Sequence, residues 1–118
     1  MTRFVIAAAL SAVLWAAAAA PAGASAASCR PVRDLFDGTR YEGSDLFRIR
    51  AQGVSCATAR RVARAATYKA VGGPPGPTGF KRLRYRRWYV VDDVRGDTDR
   101  FSARASGAKR ITWLFGEL

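Results

Sequence analysis

Between Phe4 and Ala20 only Ser11 carries a polar side chain, Arg3 puts one positive charge ahead of that run, and small residues from Ala22 to Ala27 follow Pro21. A charged start, an apolar middle and a small-residue exit make a secretory signal peptide, which leaves the chain and takes no part in the final fold. Ala24-Ser25-Ala26 fits the A-x-A cleavage pattern and Ala22-Gly23-Ala24 fits it too; cleavage is expected after Ala26. The chain then divides into a signal peptide, 1–26, and a single small secreted domain, 27–118. Two alternatives stay open. One is an uncleaved anchor, although the apolar stretch is short for a span of about 20 residues and consists mostly of alanine. The other is a lipoprotein acylated at Cys29, which small residues precede without the usual leucine three positions before it.

A domain of this size buries a thin core, so a covalent staple is valuable. Its two cysteines, Cys29 and Cys56, both lie in the exported part. In an oxidising compartment they are expected to form one disulfide, and closing that loop is worth about 3–4 kcal/mol in the chain-entropy model.

Charge bounds the partners. The formal net charge is +11, and the leader contributes only Arg3 to it. Arginine dominates, with lysine only at Lys69, Lys81 and Lys109. Such a chain is drawn to anionic partners, which outside the membrane include teichoic and other wall polymers, lipid head groups, extracellular DNA and acidic proteins. Arginine filling solvated positions is the plainer explanation of the same composition.

Local patterns give the elements. Cys29–Gly43 reads as turns, and Leu46–Ala51 as a strand with Phe47 and Ile49 inward. Ser55 stands as the N-cap of a helix over 56–70, whose face of Cys56, Ala59, Val62, Ala63, Ala66 and Ala70 is inward and whose Arg60, Arg61, Arg64 and Tyr68 point away. Gly72–Gly79 is a loop. Phe80–Val91 is one long strand or two with a bulge, Asp92–Asp99 a turn around Gly96, and Phe101–Ala105 and Lys109–Phe115 the last strands, with Ile111, Trp113 and Phe115 inward. The expected fold is α+β, one helix packed on an antiparallel sheet of about four strands, stapled by the disulfide.

The stretch Gly53-Val54-Ser55-Cys56-Ala57-Thr58-Ala59-Arg60-Arg61-Val62 resembles the G-V-S-C-x-x-A-R-x-V helix start of a family of small secreted actinobacterial proteins of unknown function. Gly79-Phe80-Lys81-Arg82 is similar to that family's G-F-x-C strand, and Phe101–Arg104 with Lys109–Gly116 to its late-cysteine and C-terminal strands. Arg82 and Ala103 stand where the second pair of cysteines belongs. The resemblance therefore implies that Arg82 and Ala103 lie on adjacent strands and that Cys29–Cys56 is the bridge retained. It implies no activity.

Histidine is absent, which removes Ser-His-Asp and Cys-His catalysis and ordinary zinc sites. No phosphate-binding glycine motif occurs. Asp92, Asp93, Asp97 and Asp99 form the one acidic cluster; beside Arg95 and Arg100 they read as a charge-paired turn rather than a metal loop or a carboxylate pair for hydrolysis. Arg95-Gly96-Asp97 is a tripeptide that arises easily by chance. No enzyme activity, cofactor or metal is expected.

The remaining candidate is a basic surface. Arg82, Arg84, Arg86 and Arg87 interleave with Tyr85 and Trp88, and Arg60, Arg61 and Arg64 recur along the helix. Basic residues alternating with aromatics contact anionic backbones and stack on rings; the bland counterpart is an edge strand guarded by charge. The expected function is a non-catalytic binding module for anionic polymers of the cell envelope, the alternative a secreted inhibitor or effector that binds a protein partner. Sequence-specific nucleic-acid recognition is not expected, nor a transmembrane span once the leader is removed.

Overall fold

The computed structural model describes residues 26–71 and 79–117. The leader and most of the Gly72–Gly79 loop lie outside these residues. Six strands, β1 (Ala27–Cys29), β2 (Asp45–Gln52), β3 (Gly79–Tyr85), β4 (Trp88–Arg95), β5 (Thr98–Ala105) and β6 (Lys109–Gly116), accompany one helix, α1 (Cys56–Val71). They form a single antiparallel sheet in the order β1-β2-β6-β5-β4-β3. The expectation of an α+β fold with about four strands is corrected: the described residues are mostly sheet, six strands with one helix laid on it.

Two strands were hidden. The first is β1, three residues long, paired with β2 and without an alternation of its own. The second hid within Phe80–Val91, where the chain reverses at Arg86-Arg87 in a two-residue turn between β3 and β4. Arg86 takes φ 54 there, a conformation that favours glycine or asparagine, so the usual sequence mark of a tight hairpin is missing. Asp92–Asp99 is also corrected. Asp92–Arg95 and Thr98–Asp99 belong to strands, and only Gly96-Asp97 turns the chain.

The helix forms as its sequence requires. Ser55 Oγ accepts from Thr58 N at 3.1 Å, capping the first turn. Ala59, Val62, Ala63, Ala66, Thr67 and Ala70 are buried, and these small side chains let the helix lie close against the sheet. Thr67 belongs to that face for a reason of its own: its Oγ1 accepts from Trp113 Nε1 at 2.8 Å inside the core. Phe101 and Trp113 stack below with ring centroids 5.0 Å apart. Disulfide Cys29–Cys56 is formed and ties the start of α1 to edge strand β1. No helix among the described residues is long and apolar enough to cross a membrane.

Strand β2 departs from simple alternation. Its register shifts between Phe47 and Arg50, and Arg48 sits in the bulge with φ 52. The extra residue turns Leu46 as well as Ile49 into the core, both fully buried, and leaves Phe47 half-buried on the other side. The expectation of Phe47 and Ile49 inward is thus half corrected. Arg82 and Ala103 are not on adjacent strands either. Strand β4 separates them, and their partners Val91 and Val90 face opposite sides of the sheet.

Candidate functional site

The helix covers one face of the sheet and leaves the other open. On the open face the register aligns three rows across β3, β4, β5, β6 and β2. The first runs Arg84, Tyr89, Arg104, Arg110, Gln52. The second runs Arg82, Val91, Ser102, Thr112, Arg50. The third runs Phe80, Asp93, Arg100, Leu114, Phe47. Six of these fifteen side chains are arginine and one is acidic. Strands whose apolar residues fill the opposite face must place polar ones here, and this sequence places guanidinium groups.

The face is concave. A groove of about 540 Å³ opens between Arg48, Arg50, Arg100 and Arg110, with the Ser102 and Thr112 hydroxyls on its floor. Phe80, Val91 and Leu114 add apolar lining. Arg48 reaches the groove from the β2 bulge, so the backbone feature that feeds the core with Leu46 and Ile49 also adds a cation outside. Among the described residues the one ion pair is Arg95 Nε with Asp93 Oδ2, at 2.7 Å. The only acid of the three rows is thereby neutralised. Asp93 also lines the groove, opposite Arg100, but its carboxylate is paired with Arg95, so among the described residues Arg48, Arg50, Arg100 and Arg110 make no ion pair of their own, an arrangement that like-charge repulsion opposes until an anion joins it.

The residues singled out from sequence divide sharply. Arg82 and Arg84 lie on the open face, and Arg84 stands over the Tyr89 ring, 5.3 Å from its centroid. Arg86 and Arg87 are exposed in the β3–β4 turn, with Arg86 5.5 Å from the Tyr85 ring centroid. Arg60, Arg61 and Arg64 lie on α1, on the other side of the sheet, so helix and strand arginines share no face. Arg60 is committed to the fold: its Nε and Nη2 donate to Arg30 O and Pro31 O at 3.1 and 3.0 Å, strapping the N-terminal segment to the helix. Trp88, expected to stack on a ligand, is 6 % exposed and belongs to the core, and Tyr85 packs half-buried beside it.

The exposed aromatics of the open face are instead Tyr89 and Phe80, at 52 % and 68 %. They were missed through one omitted turn. A two-residue reversal at Arg86-Arg87 puts Tyr85 opposite Trp88 on one face and frees Tyr89 for the other. Arg50, Arg100, Arg104 and Arg110 were also missed, because single arginines on separate strands form no run in the sequence. Only the sheet order brings them together.

No family model matches the chain, no curated protein matches it, and no solved structure matches it. What the arrangement does chemically follows from its own geometry. It offers a cationic, partly apolar trough with hydroxyls at its floor. Among the described residues no group of three or more acidic, cysteine or histidine side chains could hold a metal ion.

Proposed function

We propose that this is a secreted, non-catalytic binding module, released after its signal peptide, that holds an anionic polymer of the cell envelope on the open face of its sheet. The reading is carried by one observation: four guanidinium groups from β2, β5 and β6 line one groove against a single carboxylate, Asp93, which is already paired with Arg95. Arg82, Arg84 and Arg104 extend the surface, so a chain of successive anionic groups finds cations beyond the groove. Tyr89 and Phe80 offer flat apolar area against the polymer's sugar or alkyl parts. Guanidinium groups suit phosphate and carboxylate because their donors form paired hydrogen bonds with such oxyanions. Export is consistent with the Cys29–Cys56 disulfide, which an oxidising compartment preserves.

The test is binding of the exported domain to purified phosphate-containing wall polymer across a salt series. Release of counterions makes the affinity fall steeply with salt, and replacing Arg50, Arg100 and Arg110 by Gln is expected to flatten the log–log slope by about 2–3. Binding that ignores salt, or a triple variant that binds as before, overturns the reading.

A further inference from the structure

A second cavity, of about 290 Å³, opens on the helix side of the sheet, and the charged residues that line it are Asp92, Asp97 and Asp99 with Lys81. The register explains it. On this face Asp92 of β4 stands opposite Phe101, and Asp99 lies two residues before Phe101 on β5, so the two acids are diagonal neighbours on adjacent strands. Asp92 is 1 % exposed, lines the cavity, and its Oδ1 has no hydrogen-bond partner among the described residues. Lys81 stands opposite Asp92 on β3 and is the obvious counter-charge. Its ammonium is otherwise engaged, donating to Ala70 O at 3.2 Å near the end of α1, and makes no ion pair with either acid. Three carboxyls, of Asp92, Asp97 and Asp99, line the cavity against the single Lys81 ammonium, and the buried, unpartnered Asp92 Oδ1 leaves a place for a donor.

We propose that this cavity binds a small organic ammonium ion, whose N–H groups lie between the carboxylates of Asp92 and Asp99 and whose carbon skeleton packs on Phe115 and Val71. A divalent metal fits less well, since the carboxylates here are not grouped to hold a metal ion and fall short of the six or more oxygens that calcium takes. An anion is repelled. The site lies across the sheet from the arginine face and stands independently of the function proposed for it.

Burial, together with the neighbouring Asp99, pushes the Asp92 carboxyl up to about 7, and Asp99 is raised as well, chiefly by burial. Asp93 adds to the upward push on both, Lys81 opposes it, and Asp97 and Tyr41 line the same cavity. Below neutral pH the pair holds a proton where the ammonium would sit. Binding therefore releases that proton, and the affinity rises as pH goes from 6 to 8, by about tenfold.

The experiment is an amide NMR titration of the exported domain with cyclohexylamine, using cyclohexanol as the neutral isostere and calcium as a separate arm. The amine is expected to shift the Asp92 and Asp99 amides saturably and more tightly at pH 8. Cyclohexanol and calcium are expected to leave them in place. Asp92→Asn should weaken amine binding about tenfold or more by removing one charge, whereas Asp37→Asn, an exposed acid outside the cavity, should not. Equal binding of the alcohol, calcium shifts without amine shifts, no amine binding at all, or full binding by a folded Asp92→Asn variant would each overturn the proposal.

Discussion

Asp92 occupies a core-facing position two residues after Val90, where alternation along β4 calls for an apolar side chain. Its carboxyl is raised to about 7 in the folded protein and titrates near its ordinary value when unfolded. Between those values the folded state holds more protons than the unfolded one, so this group's stabilising contribution is full at low pH and is lost as pH rises toward 7. Above 7 its contribution is flat. Asp92→Asn keeps the shape of the protonated acid without the cost of ionisation. We expect it to raise Tm at pH 8 by about 4–8 °C, as about 1 kcal/mol does in a domain this small, and to flatten the dependence of Tm on pH between 5 and 7. Thermal melts across that range check both. Arg48 offers a second single-residue test. Its φ of 52 is a left-handed conformation that costs a side chain about 1 kcal/mol or more, which glycine avoids. Arg48→Gly is expected to hold or raise urea stability while weakening polymer binding. Both features are hard to see in the sequence: Asp92 is in phase with Val90 but reads with its acidic neighbours as a turn, and nothing local marks Arg48 as a bulge.

Helix α1 and the disulfide are the elements the sequence showed most clearly, since a helical face, a serine cap and two lone cysteines are local signals. They also bear most of the docking of helix to sheet. Replacing both Cys29 and Cys56 by Ser should cost about 3–4 kcal/mol in urea unfolding, the loop being 27 residues long. Thr67→Val removes the acceptor of the Trp113 indole N–H without changing the shape of the helix face, and is expected to cost about 1–3 kcal/mol. An unchanged midpoint for Thr67→Val would mean that this buried bond is idle. The strands were less legible than the helix. Strand β1 is too short to alternate, and Arg86-Arg87 carries none of the glycine or asparagine that announces a two-residue turn, so in sequence β3 and β4 run together and Trp88 falls among the ligand-stacking candidates instead of the core.

At the scale of the whole molecule, strand order decides which charges act together. Strand β6 returns to lie between β2 and β5, and this alone sets Arg110 in a groove with Arg50 and Arg100. No window of sequence contains that relation, which is why the helix arginines and the Lys81–Arg87 run stood out instead. On the proposed function, binding belongs to one face and not to net charge. The direct measurement compares affinity for phosphate-containing wall polymer at moderate salt for two variants with the same loss of charge, Arg50→Gln/Arg100→Gln on the open face and Arg61→Gln/Arg64→Gln on α1. The first pair is expected to lose about tenfold or more, as two phosphate contacts are worth, while the second stays near the parent. Equal losses would contradict this, because the protein would then bind by its overall charge and the groove would have no special part.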